Sequence, residues 1–126
     1  MDILERLSYY KPDSIQKMAI DEVLNDPSFD YSILVLPNHL TNTWENCALI
    51  LSQLKDEQLI PYLPKIFEWF KDINWPGAET MCTRIKQIPF NKIKHEYFNA
   101  CEIARSENDV EWLAYLKERF EGKIED

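Results

Sequence analysis

The sequence predicts an all-α fold, a short α-solenoid of antiparallel helix pairs with about seven to eight helices, and three observations predict it. Gly occurs only twice and Pro seven times. Tight β-hairpins need residues at positive φ, so this balance favours helices joined by Pro, Asn and Asp turns. Apolar residues recur at helical spacing, as in Leu63, Ile66, Phe67, Phe70 and Ile73. Finally, a shift of 31 residues superposes Trp44 on Trp75, Cys47 on Ala78, Leu51 on Cys82 and Leu54 on Ile85. The shift continues with Leu59 on Phe90, Ile66 on Tyr97, Phe67 on Phe98 and Phe70 on Cys101. A period in the thirties with two helices per unit is the pattern of a HEAT-like solenoid, and Trp112 can open a third, truncated copy.

In chain order, Asp2 can cap a short helix through Tyr9 that carries Ile3, Leu4 and Leu7 on one face. Pro12 suits the first turn of a second helix through Ile15, Met18, Ala19, Val23 and Leu24, which Asn25, Asp26 and Pro27 stop. Residues 29–36 could be a buried strand by composition, but no second strand offers a partner, so a short helix is expected. Thr41, Asn42 or Thr43 can cap a helix from Trp44 to Leu54. Asp56 and Glu57 then begin a turn to the central helix, which starts near Pro61.

That helix ends in EWFKDINWPGAE, Glu68 to Glu79, the corner around which the chain is organised. Asn74 can accept from an orphan amide, and Pro76 is tolerated only in a helix's first turn, so the next helix is expected to start at Asn74 or Trp75. It carries Ala78, Met81, Cys82 and Ile85 to Ile88 until Pro89. Another spans about Asn91 to Arg105 through Ile93, Tyr97, Ala100, Cys101 and Ala104. The last runs from a cap at Asn108 or Asp109 through Trp112, Leu113, Leu116 and Phe120, with Gly122 as its stop.

With 126 residues, 45% of them hydrophobic, the chain can bury one core, so residues 1–126 read as a single domain. The net charge of −8 favours cationic partners and disfavours nucleic acid. The local exception, Arg84, Lys86, Lys92 and Lys94 against Glu96, reads as a solvated helix end. The segment MDILERLSYY has charges where a signal peptide needs an apolar core, and no apolar run reaches membrane-spanning length, so a cytoplasmic protein is expected. Cys47, Cys82 and Cys101 are odd in number and far apart, as buried free thiols rather than a disulfide framework or metal site. His39 and His95 are isolated, and neither receives a ligand role.

WENCALIL from Trp44, YLPKIFEWFKDINWPGAE from Tyr62 and NDVEWL from Asn108 resemble three blocks of a small bacterial helical family classed as a domain of unknown function. The resemblance covers roughly Trp44 to Leu116, and its most distinctive string is Trp-x-x-Asp-x-Asn-Trp-Pro. It implies a HEAT-like fold. For some members it implies a role as immunity proteins in polymorphic-toxin or contact-dependent inhibition systems. The family brings no catalytic residues; its motif positions, here Trp44, Trp69, Asp72, Asn74, Trp75, Pro76 and Trp112, look like corner and core.

No nucleophile with a paired base, no clustered metal ligands and no Gly-rich phosphate loop occur, so neither an enzyme, a metal nor a cofactor is expected. Glu68 and Asp72 share one helix face, and Asp109 with Glu111 forms another local pair; both read as solvated surface rather than acid–base sites. The expected function is a non-catalytic immunity protein that occludes a cationic toxin domain, possibly a nuclease. Glu68, Asp72, Glu79, Asp109 and Glu111 are the candidate contacts, with Tyr62 and Tyr97 as aromatic anchors. The alternative is a helical-repeat scaffold that binds an endogenous protein or assembles with itself.

Overall fold

In the computed structural model, which describes residues 2–37 and 40–121, the chain is all-α, and no strand occurs among those residues. His39 and Gly122 lie outside the described residues. The helices are α1 (Ile3–Arg6), α2 (Asp13–Leu24), α3 (Trp44–Leu51), α4 (Asp56–Leu59), α5 (Leu63–Glu68), α6 (Ala78–Lys86), α7 (Phe90–Ser106) and α8 (Val110–Phe120). Short 3-10 turns cover Tyr31–Leu34, Thr41–Thr43, Ile60–Tyr62 and Trp69–Lys71.

The central helix is broken where sequence alone expects one rod. Each Pro removes an amide that an uninterrupted helix would bond, so Pro61 falls in a 3-10 turn and Pro64 in the first turn of α5. Helices that the 31-residue shift superposes are neighbours: α3 packs against α6, and α5 against α7, which packs in turn against α8. One continuous core runs from Leu7 to Phe120. The first helices join it through Leu7, Ala19 and Val23, and Asn46 ties them to α3 by donating to the Leu7 carbonyl and the Gln16 side chain, both at 2.7 Å.

The corner differs from its expected form. Gly77, not Asn74 or Trp75, precedes the new helix, which starts at Ala78. Gly77 has φ 83°, and a Cβ there would lie 2.8 Å from the Trp44 carbonyl oxygen and 2.9 Å from both Ala48 Cβ and the Trp69 ring. Only Gly meets both demands, and its lack of a side chain lets α6 approach α3. Asn74 caps nothing; its own amide donates to Asp72 Oδ1 at 2.8 Å, closing a turn. Pro76 stands before the helix, and its carbonyl accepts from Trp69 Nε1 at 2.8 Å. Trp75 is half-buried, its ring edge-on to Trp44, so Trp69 rather than Trp75 fills the core here.

Other boundaries shift for local reasons. Residues 31–34 form a 3-10 turn that Asp30 caps. Helix α3 ends at Leu51, because Arg84 takes over at its end by donating to the carbonyls of Ser52 at 3.0 Å and Leu54 at 2.8 Å, and to Asp56 at 2.7 Å. Thr43 precedes α3 without capping it; its hydroxyl donates to the Leu40 carbonyl instead. Arg84 is therefore structural, and Lys92 pairs with Glu57 at 3.7 Å, which leaves the basic strip partly spent within the fold. Of the pairs that the 31-residue shift superposes, burial differs at three: Phe67 is fully buried and Phe98 44% exposed, while Trp44 and Leu59 are buried and Trp75 and Phe90 only half-buried.

Candidate protein-binding face

Helices α5 and α7 lie side by side, and the shallow channel between them is the face that gathers predicted residues. Proline amides cannot continue a helix ladder, so the irregular start of α5 leaves Pro61, Tyr62 and Pro64 on the surface edge. A cavity of about 230 Å³ is lined by Pro64, Lys65, Glu68, Asn99, Ile103 and Trp112. A second, about 320 Å³, shares Pro64 and Lys65 and adds Tyr62 and Val35. The two cavities meet at Pro64 and Lys65: the first lies between α5, α7 and α8, and the second, with Tyr62, lies between the start of α5 and the segment of Ser32 and Val35.

The floor formed by Trp112 is rigid. Its indole N–H donates to the Phe67 carbonyl at 3.0 Å, its ring is covered by Lys71 Nζ at 4.8 Å, and its backbone amide is taken by the Asp109 carboxylate at 3.1 Å. Ile103, 40% exposed, presents an apolar side chain from α7 to the same groove. A groove with an aliphatic edge, a nearly buried indole at its floor and Lys65 beside Glu68 at its mouth can seat an apolar side chain flanked by a charged group.

The remaining predicted residues are placed elsewhere. Tyr97 is fully buried, donates its hydroxyl to the Leu116 carbonyl at 3.4 Å and packs against Phe67, Phe90 and Phe120. It is a core residue rather than a surface anchor, because it lies on the inward stripe with Ile93, Ala100, Cys101 and Ala104. Glu79 is tied within the fold to Arg119 at 2.8 Å and to the Tyr115 hydroxyl at 3.3 Å. Asp72 holds the corner turn and Asp109 caps α8, so both carboxylates serve local structure. Glu111 is exposed in the first turn of α8, beside Trp112 in sequence.

Sequence reasoning missed Pro64, Lys65, Asn99 and Ile103. The signal for Ile103 is present: it falls off the buried stripe of α7, so its apolar side chain has no place in the core.

No group of three or more His, Cys, Asp or Glu able to hold a metal ion occurs among the described residues. Cys47, Cys82 and Cys101 are free and buried. Burial pushes the Cys47 thiol up to about 12 and raises Cys82 and Cys101 above the ordinary thiol range, so none is poised as a thiolate near neutral pH. No described helix is long and apolar enough to cross a membrane.

The fold's buried indoles share one chemistry. Trp44 donates to the Pro37 carbonyl at 2.8 Å, Trp69 to that of Pro76 and Trp112 to that of Phe67. Each of these three indoles thus pins an irregular stretch of backbone or an adjoining helix. Comparison with known proteins finds no match among curated proteins or solved structures. The profile of one family, described as Domain of unknown function (DUF5071), matches residues 36–125, a span that contains all three blocks, and the chain belongs to that family.

Proposed function

We propose that this chain is a non-catalytic immunity protein, acting in the cytoplasm, that neutralises a toxin domain by covering its active site with the α5–α7 face. The observation that carries the reading is the groove itself. Tyr62, Pro64 and Ile103 offer apolar contact, while Glu68 supplies negative charge beside Lys65 at the rim. The net charge of −8 adds long-range attraction toward a cationic cleft of the kind that grips nucleic acid, which makes a nuclease toxin the favoured partner. The neighbouring of α3 with α6 and of α5 with α7 supports the HEAT-like repeat, an architecture whose stacked helices present extended binding faces.

The gene beside the chain's own tests this first, since it should encode a large protein with a variable C-terminal toxin domain, and co-expression with that domain tests it directly. The expected result is survival of the cells and co-purification of a complex; death of the cells with no complex recovered contradicts it. Glu111→Gln and Glu68→Gln together should slow association, and the loss should shrink as salt rises, since exposed charges are screened over about 8 Å near physiological ionic strength.

A further inference from the structure

We infer that the outer stripe of α7 is a self-association surface, on which two copies of this chain pair antiparallel about a two-fold axis through Phe98. Asn91, Lys94, His95, Phe98, Asn99 and Glu102 line one continuous hollow along the helix, about 500 Å³ in volume. Phe98 is the apolar centre of the stripe, and its ring is held edge-on by Phe90 at 6.2 Å and by Tyr97 at 5.2 Å. A ring fixed before contact loses little freedom on binding.

The charges around Phe98 are arranged as a two-fold axis requires. Lys94 and Glu102 stand four residues to either side of it, and Asn91 and Arg105 seven residues to either side. When two α7 helices cross antiparallel at Phe98, Lys94 of each copy meets Glu102 of the other, and Asn91 meets Arg105. Phe98 meets its own mate. An isologous interface needs this self-complementarity, because whatever one patch offers it must also accept.

Charge also selects the occupant. Two molecules of net charge −8 repel one another, yet this stripe carries Lys94 and Arg105 against Glu102, which already pairs with Arg105 of its own chain, so Lys94 of a second copy joins an existing ion pair and meets no excess of negative charge. Helix α7, 17 residues and about 25 Å long, provides roughly the span of one helix pair. That lies at the small end of specific interfaces, about 1,000 Å² in total, and gives a weak dimer, dissociating in the micromolar range or above.

The inference goes beyond the toxin-binding reading and does not rest on it, since the test uses this chain alone. Sedimentation equilibrium from about 10 µM to about 1 mM should show mass rising from 15.0 kDa toward twice that value. Phe98→Glu should leave a monomer throughout. Lys94→Glu should weaken the dimer at least about tenfold by setting carboxylates opposite each other, and Lys94→Glu with Glu102→Lys should restore it. Both charge positions are on the surface, so the swap stays informative even if Phe98→Glu disturbs folding. A wild-type monomer at the highest concentration, or a dimer that the swap fails to restore, overturns the inference.

Discussion

Gly77 and the tryptophans around it carry the corner, and they should respond differently to substitution. Gly77→Ala must place a Cβ within 2.9 Å of three neighbours in a left-handed backbone, so a loss of about 2–4 kcal/mol is expected in chemical denaturation. Trp69→Ala empties a fully buried site and should cost about 3–5 kcal/mol, whereas Trp75→Ala, at a half-buried site, should cost about 1–2 kcal/mol. Equal losses at Trp69 and Trp75 would contradict this assignment of the core. The three thiols should resist Ellman's reagent in the native protein and all react once it is unfolded. The string of aromatic residues was readable as a corner, but which Trp is inside depends on the left-handed turn at Gly77, and no periodicity reports that.

At the scale of helices, side-chain caps decide only some starts: Asp109 caps α8, whereas α2, α3, α5, α6 and α7 begin without a side-chain cap. Asp109→Ala should cost about 1 kcal/mol, because the Trp112 amide loses its partner and α8 loses a carboxylate at its positive end. Thr43→Ala should leave the start of α3 in place, its hydroxyl being used on Leu40 rather than on the helix. Asp56–Leu59, read as a turn, forms α4, and residues 29–36, read as a short helix, hold only the 3-10 turn Tyr31–Leu34. Most helices, however, were legible from helical spacing, and the α8 cap from Asn-Asp before an apolar run. The end of α3 was not, since Arg84, distant in sequence, settles it. Of the candidate contacts, Tyr62 is half-buried and Glu68 exposed, but Tyr97 reads as an anchor only until the stripe of α7 is known to face inward. Glu79 reads as free until Arg119 arrives from α8.

For the whole molecule, charge and burial set the pH range. Serine hydrogen bonds hold Asp26 and Asp30 below the usual carboxylate range, and Arg6 does the same for Glu22. Groups lowered by folding stabilise above their unfolded values, so this contribution is lost as pH falls below about 4. Burial raises the thiols and the phenols of Tyr97 and Tyr115, so the folded chain binds those protons more tightly. That contribution is complete below the unfolded values and is lost as pH climbs past about 9. The melting temperature should therefore hold a plateau between these limits and fall on both sides. The binding claim depends on the α5–α7 groove, and the affinity of Ile103→Glu for the neighbouring toxin domain, measured by calorimetry, tests it most directly. The account predicts a melting temperature within about 3 °C of the wild type and a loss of at least about a hundredfold in affinity, since a charge would stand in an apolar contact. A folded Ile103→Glu variant that binds the toxin domain as tightly as the wild type would contradict it.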